Sequence, residues 1–217
     1  MLQKEILEKL ENSEMIIFDF DGTMVNSEKY HFLTYNLILS KVSDNKISIS
    51  QKDYVENYCG HSTENNLKAL KERFNLTQLN IKKELKNYRK YIMKVQKENG
   101  VKFFDYVLPV LEQFKHKNFC IVSSGFKKQV LYVLKKNKVD KLFKQKFFME
   151  KLKIKKSYFY SHLTDFLPNI KNVCVFEDNY SVVKHIETII PETTTIGIET
   201  EFNKGLLTYS DFIIKIN

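Results

Sequence analysis

Residues 15–23 read Met-Ile-Ile-Phe-Asp-Phe-Asp-Gly-Thr, an apolar run that ends in two aspartates one residue apart. On an extended chain, positions i and i+2 share a face. Asp19 and Asp21 can therefore reach one cleft while Phe20 packs the other way. A buried carboxylate is costly unless it is paired or bound to a metal, so a plain core has no use for this pair. A phosphoryl-transfer site does. One carboxylate can attack phosphorus and form an acyl phosphate, and a second can protonate the leaving alkoxide and then activate water. A divalent cation held by hard oxygen ligands offsets the repulsion between the attacking and attacked groups.

Two further polar clusters follow apolar runs. Phe119-Cys-Ile-Val122 leads into Ser123-Ser124-Gly125, and Val173-Cys-Val-Phe176 leads into Glu177-Asp178-Asn179. The Ser123 hydroxyl can donate to a phosphoryl oxygen, and the N–H groups of Ser124 and Gly125 precede a helical pattern, a natural anion site. Asp178 can join Asp19 as a metal ligand. Each cluster alone is an ordinary turn or helix cap. Their conjunction is not: three polar clusters each close a short apolar run, in a fixed order.

Those runs must be positioned by something. Continuous apolar segments alternating with helical patterns predict a parallel sheet covered by helices on both faces. In such sheets ligands bind at the carboxyl ends of the strands, so the three clusters are expected to converge. Strands are predicted at Met15–Phe18, Phe119–Val122, Phe147–Phe148, Val173–Phe176, Thr193–Ile198 and Phe212–Ile216, and a helix over residues 2–11. Between the first two strands the periodicity is helical only. Phe32, Tyr35 and Leu39, then Leu67, Leu70 and Phe74 behind a Ser62 cap, then Ile81, Leu85, Tyr88, Ile92 and Val95 recur at helical spacing. The expectation is an α/β, Rossmann-like core over 1–28 and 98–217, interrupted by an all-helical insert over 29–97.

With 217 residues the chain can bury a substantial core. No stretch is long and apolar enough to span a bilayer, and the charged N-terminal pattern lacks the apolar centre of a signal peptide. The three cysteines are widely spaced without a CxxC, which points to a reducing, cytoplasmic setting. The net charge of +9 suits anionic partners, although lysines recur in most segments without a long basic run, as on a solvated surface.

The chain resembles the haloacid dehalogenase superfamily over nearly its whole length, in the phosphatase branch that carries a small helical cap. Asp19-Phe20-Asp21-Gly22-Thr23 matches the family's first motif, and Met24-Val-Asn-Ser-Glu-Lys-Tyr-His-Phe32 resembles the loop entering the cap, with the Tyr-His-Phe also found in β-phosphoglucomutases. Cys120–Ser123 resembles the second motif and Val175–Asn179 the acidic fourth. The resemblance implies Asp19 as nucleophile and magnesium ligand, Asp21 as acid/base with its carbonyl on the metal, Ser123 as phosphate ligand, beside the Ser124 N–H already named, and Asp178 as a further ligand of Mg²⁺. The third motif departs from the family's Lys-Pro pattern: the stretch is Lys155-Lys156-Ser157-Tyr158. Spacing to the next strand favours Lys156, with Lys155 beside it. Gly60-His61-Ser62-Thr63 resembles the cap loop that approaches the substrate, so the resemblance marks His61, with Glu28 and His31 near the hinge, as substrate contacts.

The expected activity is magnesium-dependent hydrolysis of a small phosphorylated metabolite, a sugar phosphate or a phosphorylated amino alcohol or amino acid, through an aspartyl phosphate. Phosphosugar mutase chemistry is the enzymatic alternative, and a basic nucleic-acid-binding module the non-enzymatic one. The latter predicts a clustered basic face and leaves the aspartates unexplained. The expected partner is the small phosphorylated substrate, with no nucleic acid and no membrane, and the chain is expected as a monomer or weak homodimer.

Overall fold

The computed structural model describes residues 2–189, 193–204 and 208–216. Helix α1 (Lys4–Asn12) buries Ile6 and Leu10 and leads into β1 (Met15–Phe18), whose four residues are all buried. Four helices follow without a strand: α2 (Ser27–Ser43), α3 (Gln51–Asn57), α4 (Thr63–Arg73) and α5 (Ile81–Asn99). The chain then alternates through α6 (Val107–Gln113), β2 (Asn118–Ser123), α7 (Lys127–Lys136) and β3 (Phe143–Phe148). Three short helices, α8 (Met149–Leu152), α9 (Lys156–Ser161) and α10 (Leu163–Phe166), precede β4 (Val173–Glu177), α11 (Tyr180–Ile189), β5 (Thr193–Glu199) and β6 (Phe212–Lys215).

The six strands form one sheet in the order β3-β2-β1-β4-β5-β6, and every neighbouring pair is parallel. The architecture is the expected Rossmann-like α/β sheet. Parallel strands need crossover connections, which is why the apolar runs are separated by helical sequence. The alternation of side chains gives the sheet two apolar faces. Met15, Ile17, Cys120, Val122 and Val175 pack with Phe159, Tyr160, Leu163 and Ile186. On the other face Phe18 stacks on Phe176 at 4.5 Å and meets Phe119 and Phe143 edge-on or tilted at 6.2 Å. β3 is longer than the Phe147–Phe148 dipeptide suggested. Its Lys144 and Gln145 fit an outer strand, where charge also discourages edge-to-edge pairing.

The chain divides into two compact units, 1–26 with 102–217, and 27–101. The second unit is wholly helical. Ser50, Ser62 and Asn80 each accept a backbone N–H at a helix start, from Asp53, Asn65 and Lys83. Its two ends are tied together by the Tyr30 hydroxyl, which donates to the Gly100 carbonyl at 2.7 Å. Helix α3 has too few apolar positions for periodicity to reveal it; Tyr54 is its one buried residue. No described helix is long and apolar enough to cross a membrane.

Candidate active site

β1, β2 and β4 are adjacent, and each ends at one of the polar clusters. β1 stops at Phe18, and the Asp19 N–H continues the ladder by donating to the Phe176 carbonyl at 2.9 Å. Beyond it the backbone turns sharply: Met24 and Val25 N–H both donate to the Phe20 carbonyl, and Gly22 N–H donates to Val25. Phe20 is fully buried, Asp19 is 4% exposed and Asp21 is half-buried. The i, i+2 spacing thus leaves both carboxylates beside the other clusters while Phe20 enters the core.

Two glycines make room for those carboxylates. A Cβ on Gly22, which sits at φ +79°, would fall 2.0 Å from Asp178 Oδ2. A Cβ on Gly125 would fall 2.3 Å from Asp21 Oδ2 and 3.1 Å from Ser123 Oγ. The loops after β1, β2 and β4 therefore approach one another as closely as backbone allows, and Asp21 lies next to Ser123. Gly125 N–H is already used, donating to Ser123 Oγ at 2.9 Å. This corrects the reading of that N–H as an anion donor. It leaves the Ser123 hydroxyl proton to be given to a ligand. Ser124 is exposed, and α7 begins only at Lys127.

Lys156 resolves the ambiguity of the third motif. Its Nζ lies 2.8 Å from Asp19 Oδ1 and 2.9 Å from Glu177 Oε2, whereas Lys155 is the exposed residue preceding α9. Burial alone would lower the pKa of the Lys156 ammonium, but the charges of Asp19 and Glu177 more than reverse this and keep it protonated. Glu177 was not singled out in the sequence. It is fully buried at the last position of β4, and burial together with the Asp19 charge pushes its carboxyl up to about 7 despite Lys156. The signal was available: an acidic residue closing a fully buried strand needs a cationic partner.

Asp178 is held from two sides. Thr23 Oγ1 donates to its Oδ1 at 3.1 Å, and Asn203 Nδ2 donates to its carbonyl at 2.8 Å. The Tyr106 hydroxyl, kept protonated by burial and by the Asp178 and Asp19 charges, donates to the Thr23 carbonyl at 2.6 Å. Thr23 closes the first motif, whereas Asn203 and Tyr106 are supporting residues that no spacing rule announces.

Asp19, Glu177 and Asp178 each offer a carboxylate oxygen within 4.8 Å of the others. One lysine faces the buried Asp19 and Glu177 beside the half-buried Asp178, and desolvation, followed by the Asp19 and Glu177 charges, drives the Asp178 carboxyl well above its usual range. A hard divalent cation fits this donor set, which is all oxygen and short of positive charge. Both Glu177 oxygens are engaged, by Lys156 at 3.2 and 2.9 Å and by the Asn179 N–H at 3.1 Å, whereas Lys156 and Thr23 engage Asp19 and Asp178 at their Oδ1 oxygens. Asp19 and Asp178 are thus the side chains available to hold such an ion. The Asp21 side chain is not part of the trio, so the resemblance's assignment to the ion concerns its carbonyl.

A family model of haloacid dehalogenase-like hydrolases matches residues 16–183. The chain belongs to the haloacid dehalogenase-like hydrolases. No curated protein sequence matches it. Similar solved structures of the family include a Thermotoga maritima protein assigned as a β-phosphoglucomutase, 21% identical over 93% of this chain and 94% of that one, with a TM-score of 0.75. Another, from Haemophilus somnus and assigned as a phosphoglycolate phosphatase, is 19% identical over 93% of each chain at a TM-score of 0.72. A Bacillus subtilis haloacid dehalogenase-like hydrolase with bound magnesium is 13% identical over 93% and 94%, at a TM-score of 0.65. At these identities the likeness is one of fold. It extends to the family's α/β sheet with a helical insert.

The remaining candidates lie in the helical unit. Glu28 is half-buried in the first turn of α2 and accepts a hydrogen bond from the Tyr54 hydroxyl. His31, one turn on, has Nδ1 2.6 Å from the Tyr88 hydroxyl and stacks against that ring at 6.0 Å. Burial lowers the His31 pKa against an opposing pull from Glu28, and burial holds Tyr88 protonated. His31 is thus held neutral, with its Nδ1 sharing a hydrogen bond with the Tyr88 hydroxyl. His61 is exposed in the turn between α3 and α4.

Proposed function

We propose that this chain is a magnesium-dependent phosphatase of small phosphorylated metabolites, working through an aspartyl phosphate on Asp19. The observation that carries the reading is the constellation of Asp19, Lys156, Glu177 and Asp178, with Lys156 Nζ 2.8 Å from Asp19 Oδ1. Asp19 and Asp178, with the Asp21 carbonyl, would hold the ion. When bound, the ion supplies positive charge that lets an anionic nucleophile approach an anionic phosphoryl group.

The chain's own residues account for the rest. Lys156 pairs with Asp19 and adds charge stabilisation where negative charge develops. Ser123 donates its hydroxyl to a phosphoryl oxygen. A carboxylate oxygen of Asp19 bonds to phosphorus as the bond from phosphorus to the alkoxide oxygen breaks, and Asp21 gives its proton to that oxygen. Asp21, now ionised, takes a proton from water. The water oxygen attacks phosphorus, the phosphorus–Asp19 bond breaks, and inorganic phosphate leaves. The helical unit is assigned substrate choice through Glu28, His31 and His61, with Tyr54 and Tyr88 fixing the first two. We assign the protein to the cytoplasm as a monomer or weak homodimer.

The test is a panel of sugar phosphates and phosphorylated amino alcohols and acids, assayed for released phosphate with and without magnesium. Asp19→Asn is expected to reduce release to background while circular dichroism stays unchanged. Full activity in that variant would falsify the nucleophile assignment. Mutase chemistry shares the same phosphoenzyme and is favoured by the Tyr30-His31 pair; an isomerised phosphosugar without net phosphate release would establish it instead.

A further inference from the structure

The surplus of nine positive charges is not evenly spread. Residues 127–155 contain eleven of the 35 lysines and arginines and only two of the 26 acidic residues, Asp140 and Glu150, leaving 24 of each sign in the rest of the chain. The whole formal surplus therefore sits in 29 residues. Lysines also recur elsewhere, with eight basic residues against two acidic over 82–102, but the excess here is larger. It also supplies the clustered basic face that the nucleic-acid reading required, on the same chain as the acidic site.

The segment forms one edge of the core. It comprises α7, the outer strand β3 and α8, and all its lysines except Lys146 are exposed. The two ends of the edge are joined: Lys127 N–H donates to Glu150 Oε1 at 3.1 Å, and Lys127 Nζ lies 5.8 Å from the Phe148 ring centroid. The segment starts just after Ser123–Gly125 and stops at Lys156. Basic charge therefore runs from the candidate phosphate ligands along α7, about 15 Å for ten residues at 1.5 Å each. That exceeds a physiological Debye length of about 8 Å. Lys135, Lys136, Lys138 and Lys141, at the far end, are thus too distant to serve one small phosphate at the site, and they suit a chain of phosphates.

The side-chain chemistry narrows the occupant. The segment has no arginine, so it lacks the forked donors that read base edges. It does carry aromatics among the lysines. Tyr132 is half-buried with Lys136 Nζ 5.9 Å from its ring centroid, and Lys127 Nζ lies beside the Phe148 ring. Lysines that follow a backbone and aromatic faces that accept bases are how single strands are bound without sequence preference. A lipid surface would call for an apolar anchoring face, and among the described residues of the segment Leu152 is the one exposed large aliphatic side chain. We propose that the α7–β3–α8 edge binds single-stranded nucleic acid through its phosphates.

Fluorescence anisotropy of the full chain with labelled 20-nucleotide oligothymidylate and oligouridylate, from 50 to 300 mM salt, tests this. Binding should weaken linearly in log salt, with a slope of about −0.7 per phosphate neutralised. The quadruple variant K135E/K136E/K138E/K141E should bind at least tenfold more weakly, with a slope shallower by about 3. A matched variant on α5, K82E/K83E/K86E/K90E, changes net charge equally and should alter affinity less than threefold. Tyr132→Ala should weaken binding about fivefold or more. Phosphate release from a small substrate should be unchanged in both charge variants, which separates this surface from the catalytic reading. If a charge-reversed chain fails to fold by circular dichroism, the Lys→Gln quadruple takes its place with the same reading. The proposal is overturned by absence of oligonucleotide binding at 50 mM salt, by equal losses in the α7 and α5 variants, or by binding to phosphatidylserine vesicles without binding to oligonucleotides.

Discussion

Lys156 stands between Asp19 and Glu177, so removing its ammonium leaves two buried carboxylates facing each other. Breaking a buried ion pair from one side costs about 3–5 kcal/mol, and losing a preorganised charge at a reacting centre costs about 10²–10³ in kcat. Lys156→Ala is expected to show both losses, in a denaturant titration and in phosphate release. Lys155→Ala, an exposed residue, should show neither. Much of the site was legible at this scale. Asp19, Asp21, Ser123 and Asp178 stand out because carboxylates and hydroxyls at the ends of apolar runs have no role in packing. Glu177 did not stand out, because a strand's last residue reads equally well as the first of a polar loop. Only the register that places it opposite Gly197, and Lys156 against it, reveals a buried charge.

Helices in the inserted unit are held by a few polar contacts between aromatic side chains, and these carry a pH dependence. His31 Nδ1 is hydrogen-bonded to the Tyr88 hydroxyl, and burial lowers its folded pKa below the usual 6.5. As pH falls through 6.5 the unfolded chain takes up a proton that the folded unit resists. The contribution of His31 to stability is therefore complete above that pH and is lost below it, down to the folded pKa. Thermal melts at pH 8 and pH 5 should differ more for the parent than for His31→Gln; an equal difference would remove His31 as the cause. The helices of this unit were readable from 3.6-residue periodicity where the apolar stripe is long, as in α5. They were unreadable in α3, which buries one residue. The outer strand β3 was only half legible, since lysines at an edge obscure the apolar signature that marks the inner strands.

At the scale of the molecule, an ion held by the carboxylates stabilises the fold by mass action. At a hundred times its dissociation constant it contributes about 2.7 kcal/mol, or a rise of roughly 5–10 °C in melting temperature for a chain of this size. Magnesium should produce this rise in the parent and not in Asp178→Asn, read by calorimetry without substrate; equal rises would place the ion elsewhere.

The strand order has a further consequence, for how the chain is made. β1 lies between β2 and β4, and Phe18 pairs with Phe176, 158 positions later. Ribosomes extend chains at about 5–20 residues per second, so the first strand waits roughly 8–30 s for that neighbour. Meanwhile the helical insert can close from contacts near in sequence, which form early. The catalytic pocket is thus among the last parts to assemble, and a nascent or truncated product ending before residue 173 would present an unpaired, wholly apolar strand edge. Such fragments are expected to require chaperones or to be degraded, even though they already contain both aspartates of the first motif.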